Sequence, residues 1–204
     1  MIAIVDYGMG NLRSVQKAFD KIGAMARIVP FPRDIMNARG IVLPGVGAFG
    51  QAMDNLRAIG WIDPLHDQVA HGVPFIGICL GMQLLFESSE EMGQHEGLGI
   101  LPGEVKRFNS GLKVPQMGWN QIHLIGGKHA SPLLRDIANG SYAFFVHSYY
   151  CAPRDTSITV ATTDYGIEFA SVVQQGNVFG AQFHPEKSQS VGLKMLENFA
   201  RICD

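Results

Sequence analysis

Val73-Pro74-Phe75-Ile76-Gly77-Ile78-Cys79-Leu80-Gly81-Met82-Gln83 is the stretch on which the fold turns. The apolar run from Val73 to Ile78 predicts a buried strand. It ends at a cysteine with glycine two residues before it and two after. A helical pattern then resumes through Met82, Gln83, Leu84, Leu85 and Phe86. A nucleophile on a tight strand-to-helix turn, flanked by small residues, is the cysteine counterpart of the Gly-x-Ser-x-Gly elbow. Such a turn pushes the sulfur clear of the sheet edge. The helix N-terminus behind it offers unpaired N–H groups and a positive dipole end, which favour thiolate over thiol.

Far downstream, Gly180-Ala181-Gln182-Phe183-His184 reads as a strand end, followed by Pro185 and Glu186. In an extended chain, alternate residues point the same way. His184 and Glu186 are therefore expected on one face, with Glu186 holding the imidazole in the tautomer that faces Cys79. Nucleophile, base and orienting acid are the set that acyl transfer requires. Taken alone, Cys79 also reads as a small core residue, and His184 as a turn or surface histidine. The elbow and the His-x-Glu pair together favour the catalytic reading.

Working outward, the first half alternates strands and helices. Strands are expected at Ile2–Asp6, Met25–Val29 and Ile41–Leu43. Helices are expected at Asn11–Ile22, with Asn11 as cap, and at Gln51–Ile59 and Ile62–Ala70, broken at Gly60. This βαβ alternation predicts a parallel sheet with helices on its faces, whose ligands gather at the carboxyl ends of the strands. The second half is richer in strand patterns, at 104–108, 121–125, 142–149, 158–162, 170–173 and 178–183, before a closing helix over 190–202. The expected class is α/β, a mostly parallel central sheet flanked by helices, with additional antiparallel strands in the second half. No linker or repeat divides it, so residues 1–204 are read as one domain.

Composition narrows the function classes. A chain of 204 residues is expected to bury about 70% of its unfolded surface. Its 47% hydrophobic and 17% charged residues are those of an ordinary soluble globule. A net charge of −2 provides no electrostatic case for nucleic acid or an anionic membrane. Cys79, Cys151 and Cys203 are far apart, without a Cys-x-x-Cys pair, so neither a zinc site nor a disulfide framework is indicated. No segment approaches the apolar length that spans a bilayer, and Ile2-Ala3-Ile4-Val5 begins a strand where a signal peptide would be basic. The expectation is a cytoplasmic protein, in a compartment that keeps a catalytic thiol reduced.

Gly45-Val46-Gly47-Ala48-Phe49-Gly50 spells a dinucleotide fingerprint, but its context fails. The following strand ends in Cys79, where an acid would hold a ribose hydroxyl. Glycines also let backbone approach a ligand closely. The expected use is an oxyanion hole, formed by the Leu80 N–H and an amide of the Val46–Gly47 segment. Losing one such donor typically costs about 3–4 kcal/mol of transition-state stabilisation. An ordinary glycine-rich turn is the plainer alternative.

Gly77-Ile-Cys-Leu-Gly-Met-Gln83, Pro44-Gly-Val-Gly47 and Gln182-Phe-His-Pro-Glu186 together resemble the class I (triad-type) glutamine amidotransferases. Asp6-Tyr-Gly-Met-Gly-Asn11, Met117-Gly-Trp-Asn120 and Phe145-Val-His-Ser-Tyr149 bring the resemblance closer to one branch, the glutaminase subunits of imidazole glycerol phosphate synthase in histidine biosynthesis. The likeness runs from Ile2 to the C-terminal helix. It implies that Cys79 attacks the side-chain amide of L-glutamine, that His184 protonates the departing ammonia, and that water cleaves the glutamyl thioester, with no cofactor and no metal. It maps the glutamine pocket onto Gly47, Gln83, Glu91, Ser148 and Tyr149. Gln83 lies one helical turn past the nucleophile, on its face. From spacing alone, Gln83 and Glu91 read equally as solvated side chains, and Ser148 and Tyr149 as structural hydroxyls.

The resemblance also implies a heterodimer. Ammonia would pass to a cyclase subunit of barrel architecture, with contacts at Asn11, the 44–47 loop, Trp119 and Asn120; Trp119 otherwise reads as a core aromatic. Gln116 departs from the branch, standing where relatives often carry histidine. Two other readings compete: the glutaminase of another amidotransferase pathway, and a redox-responsive protein, since an elbow cysteine also suits an oxidation-sensing thiolate.

Overall fold

The computed structural model describes residues 1–109, 111–126 and 131–204. Strands β1 (Ile2–Val5), β2 (Ala26–Val29), β3 (Gly40–Gly45) and β4 (Phe75–Cys79) alternate with helices α1 (Leu12–Lys21), α2 (Phe49–Ile59) and α3 (Ile62–Ala70). Helix α4 (Leu80–Leu84) follows the elbow. After it come β5 (Phe86–Ser89), β6 (His95–Glu96), β7 (Leu101–Arg107), β8 (Gln116–Leu124), β9 (Ser141–His147), β10 (Tyr149–Pro153), β11 (Thr159–Asp164), β12 (Glu168–Gln175), β13 (Val178–Ala181) and the closing helix α5 (Gln189–Ile202).

Among the described residues, nine strands form one sheet in the order β2-β1-β3-β4-β13-β12-β11-β8-β9. The first four pairings are parallel and the other four antiparallel. β1, β3, β4 and β13 are buried at every position, as parallel strands covered on both faces must be. Their side chains alternate between two cores. Ile2, Ile4, Ile76 and Ile78 pack with Val15 and Phe19 of α1 and Leu196 and Phe199 of α5. Ala3, Val5, Leu43 and Phe75 pack with Phe49, Met53 and Leu56 of α2 and Trp61 and Leu65 beyond it. The buried positions of α1 and α2 recur at three- and four-residue spacing, the stripe that turns each helix onto the sheet. A second sheet, β10-β7-β5-β6, closes the α2 side.

Several expectations are corrected. The helical pattern after Cys79 stops at Leu84, because Phe86 pairs with Leu101 and starts the second sheet. The run over 142–149 is two strands broken at Ser148. β9 stays with β8, while β10 leaves to pair with β7. Asn11 precedes α1, but its side chain makes no cap; its backbone carbonyl receives the Ser14 and Val15 N–H groups at 3.1 Å each. β13 ends at Ala181, two residues earlier than its apolar pattern. No helix among the described residues is long and apolar enough to cross a membrane.

Candidate active site

Strand register assembles the site. Cys79 is the last residue of β4, with Gly45 of β3 opposite it on one side. On the other side Ala181 pairs with Ile78, so Gln182 arrives beside Cys79. The elbow is tight. Cys79 holds φ 54 and ψ −111, a conformation that costs a non-glycine residue roughly 1–3 kcal/mol. Its flanking glycines are there for room. A Cβ on Gly77 would meet the Gly81 carbonyl oxygen at 2.5 Å, and one on Gly81 would meet the Leu43 oxygen at 1.8 Å. The sulfur is buried, 3.9 Å from the Val146 carbonyl oxygen.

The His184–Glu186 pair is formed differently from expectation. The chain is not extended here. His184 opens a single turn of 3-10 helix over Pro185–Lys187, and the turn brings the Glu186 Oε1 to 2.9 Å from His184 Nδ1. Both side chains are almost fully enclosed. The turn is tied to β9: the His184 N–H donates to the Phe144 carbonyl, while Ser188 Oγ receives the Phe144 N–H and donates to the His184 carbonyl. With Nδ1 held by the carboxylate, Nε2 is the nitrogen left over. It has no partner of hydrogen-bonding geometry among the described residues. Burial opposes charging this ring, but the adjacent Cys79 sulfur and the hydrogen-bonded Glu186 carboxylate, both carrying negative charge, outweigh it, and the pKa is pushed up to about 10. His184 is therefore set up as an imidazolium at neutral pH, next to the sulfur.

A cleft of about 380 Å³ opens over these groups, lined by Cys79, Leu80, Val46, Gly47, Gln83, Glu91, Ser148, Tyr149 and His184, with Pro115, Val146 and His147. That volume suits a small ligand. Gly47 has φ 99, a backbone conformation that favours glycine, and a Cβ there would meet the flexible Met9 methyl at 2.7 Å. Glu91 Oε2 receives the Phe49 N–H at 2.7 Å. It supplies α2 with the N-terminal acceptor that Ala48 lacks.

Residues 3–203 match the family described as glutamine amidotransferase class-I. The chain belongs to that family. It is 52% identical over 201 residues to the imidazole glycerol phosphate synthase subunit HisH of Desulfitobacterium hafniense (strain Y51), covering 98% of this chain and 94% of that protein. The same figures hold for the subunit HisH of Moorella thermoacetica. Among solved structures, PurLQS from Thermotoga maritima is similar in fold, with a TM-score of 0.78 at 19% identity over 98% of this chain and 97% of that one.

In this class I amidotransferase every residue expected in the oxyanion hole or glutamine pocket lines the one cleft, but two are already engaged. Gln83 Nε2 donates to the Tyr149 carbonyl at 2.9 Å and reaches Gln182 Oε1 at 3.2 Å, and Glu91 serves α2. Asn11, Trp119 and Asn120 lie outside the cleft lining. Trp119 is 47% exposed, edge-on to Phe144, and is not a core aromatic. The Asn120 amide donates to the Asp164 carbonyl at 2.8 Å, an exposed bond to the neighbouring strand.

Three residues at or beside the candidate site stand within motifs quoted from the sequence but take no role from them. Tyr7 is fully buried, and its hydroxyl donates to the Pro44 carbonyl at 2.9 Å, bracing the end of β3 before the Val46–Gly47 loop. Burial first, then the nearby sulfur, raises its pKa far above the ordinary phenol value. His147 packs among Phe108, Phe145 and Phe169, with Nδ1 2.7 Å from the Tyr149 carbonyl. A carbonyl only accepts, so Nδ1 carries the hydrogen. Burial pushes this histidine down to about 4; the Tyr149 bond resists and the charge of His184 adds to the fall. It stays neutral while His184 charges. Gln182 is the third. Among the described residues, no group of three or more His, Cys, Asp or Glu side chains is arranged to hold a metal ion.

Proposed function

We propose that this chain is the glutaminase subunit of imidazole glycerol phosphate synthase, acting as one domain in the cytoplasm. It hydrolyses L-glutamine and hands the ammonia to a cyclase subunit that makes imidazole glycerol phosphate and AICAR. The observation that carries the chemistry is the strained Cys79 elbow, facing an imidazole that Glu186 holds at 2.9 Å. The pathway rests on the 52% identity to subunits of that synthase.

In this reading the Cys79 thiolate adds to the carboxamide carbon of glutamine. The oxyanion that develops meets the Leu80 N–H and an amide of the Val46–Gly47 segment. His184, charged at rest, gives its proton to the departing nitrogen as the C–N bond breaks, releasing ammonia and leaving a glutamyl thioester. Neutral again, the imidazole takes a proton from water, whose oxygen attacks the thioester carbon. Glutamate leaves and the thiolate–imidazolium pair returns. Glu186 orients the ring and balances its charge throughout. Gly47, Gln83, Glu91, Ser148 and Tyr149 hold the substrate, with Gln83 meeting it through Oε1 because its nitrogen is committed.

The ammonia acceptor docks at Asn11, the 44–47 loop, Trp119 and Asn120. Supporting this are Val46 and Met117, which stand 41% and 68% exposed, with Trp119 half-exposed on β8, beside the edge strand β9. Docking adjusts the Val46–Gly47 peptide; equal glutaminase rates with and without cyclase and its ligand overturn that step.

Treatment with a glutamine-mimicking electrophile, read by mass spectrometry, tests the reading. An adduct on Cys79 that excess glutamine blocks is the expected result; labelling that glutamine leaves untouched defeats the assignment. Copurification with the cyclase and stimulation by its ribonucleotide substrate separate this synthase from other amidotransferase pathways.

A further inference from the structure

The amides of Gln83 and Gln182 form a buried chain whose direction can be worked out from its far end. The Tyr149 backbone carbonyl is an acceptor only, so the nitrogen of the Gln83 amide must face it across 2.9 Å. The same nitrogen lies 3.2 Å from the Gln182 side chain, which must therefore present its oxygen. Turning either amide over would set N–H against N–H or oxygen against oxygen. With Oε1 taken, Gln182 Nε2 is left pointing the other way, where Cys79 Sγ lies at 3.9 Å. Gln182 has 0% of its surface exposed, so bulk water does not reach its amide. A buried amide N–H is expensive to leave unmatched.

We propose that Gln182 is a positioning residue for the nucleophile, donating its side-chain N–H to the Cys79 thiolate in a direction dictated by Gln83 and the Tyr149 carbonyl. The inference rests on the reading of Cys79 as nucleophile and adds how the sulfur is held. Three elements meet to do it: β4 brings the sulfur, the register of β13 brings Gln182 alongside, and the Ser148 break between β9 and β10 presents the Tyr149 carbonyl. His147 donates to that carbonyl as well, at 2.7 Å, and so fixes the anchor from its other side. A charged sulfur accepts more strongly than a thiol, so the contact favours the reactive form. It also holds the sulfur on the sheet side of the cleft.

The test is the rate of Cys79 alkylation by iodoacetamide, located by peptide mapping and followed as a function of pH. The titratable groups around the sulfur are His184 with its partner Glu186, Tyr7 and Cys151, and His147, Glu91 and Tyr149 line the same cleft. All of them are retained when Gln182→Met is compared with the parent chain. Losing one hydrogen bond to a charged acceptor is expected to displace the profile upward by about one pH unit, which slows alkylation about tenfold on the acid side of its midpoint. An unchanged rate and profile in folded Gln182→Met overturns the proposal.

A second measurement needs no substitution at Gln182. The side-chain amide signal of Gln182 in nitrogen-resolved NMR should move over the pH range in which Cys79 alkylation rises, and should stay still in Cys79→Ala. A signal that ignores the titration in the parent chain also overturns the proposal. Neither readout contains glutamine. A chain that passes both but turns over no glutamine refutes the glutaminase reading alone.

Discussion

A methyl group on Gly81 would sit 1.8 Å from the Leu43 carbonyl oxygen. Helix α4 therefore starts in contact with the backbone of β3, and that contact gives the elbow its sharpness. Gly81→Ala is expected to destabilise the fold by about 3 kcal/mol or more, because the obstacle is backbone and cannot rotate away. Urea denaturation of the two proteins measures it, and equal midpoints would refute the packing argument.

The strain at Cys79 separates stability from activity. Both Cys79→Ala and Cys79→Gly should lose glutamine turnover, while the cyclase fed with ammonia keeps its own. Of the two inactive proteins, the glycine variant should be more stable by about 1 kcal/mol, since φ 54 suits glycine and strains alanine. Chemical denaturation side by side decides this, and a less stable glycine variant counts against strain at the elbow.

In the proposed mechanism Glu186 orients the imidazole and attacks nothing. Glu186→Gln should therefore lower kcat about a hundredfold less than Cys79→Ala does, with KM little changed. Steady-state glutaminase kinetics provide both numbers. Equal losses would mean that the carboxylate does more than orient.

His184 is expected to remain protonated well above neutral pH, with a pKa of about 10. Among the causes that raise it are the adjacent Cys79 sulfur and its charge, so His184 should titrate lower in Cys79→Ala. Ring-resolved NMR follows both. Titration near the ordinary histidine value in the parent chain contradicts the ion pair. The sign for stability follows. The raised folded-state value makes a contribution that is full below the ordinary histidine pKa of about 6.5 and is lost as pH climbs to about 10. Stability of the parent should fall across that window relative to His184→Ala.

Much of the site is legible because its chemistry is local. Cys79 stands between close-spaced glycines at the end of an apolar run, and His184 and Glu186 are two residues apart, so each motif carries its meaning in a few positions. Even so, the geometry that joins His184 to Glu186 is a 3-10 turn, not the extended chain that alternation suggests. Proline after His184 and the bonds that His184 and Ser188 make to Phe144 of β9 decide that turn, and the latter are contacts between distant segments. The end of β13 at Ala181 and the early start of β5 at Phe86 escaped for the same reason, since apolar patterning marks burial and not the partner strand.

What the amino-acid order determined by itself was the kind of chemistry and the class of fold. Buried parallel strands need unbroken apolar runs, and an elbow nucleophile needs small neighbours; both are one-dimensional signals. What only the tertiary structure decided was who stands beside whom: Gln182 next to the sulfur through the pairing of Ala181 with Ile78, His147 neutral among phenylalanines, Tyr7 under Pro44, and Glu91 diverted to the start of α2. Register and burial arise from contacts between distant segments. A buried amide or imidazole takes its role from the single partner it finds there, and nothing in its own neighbourhood of sequence names that partner.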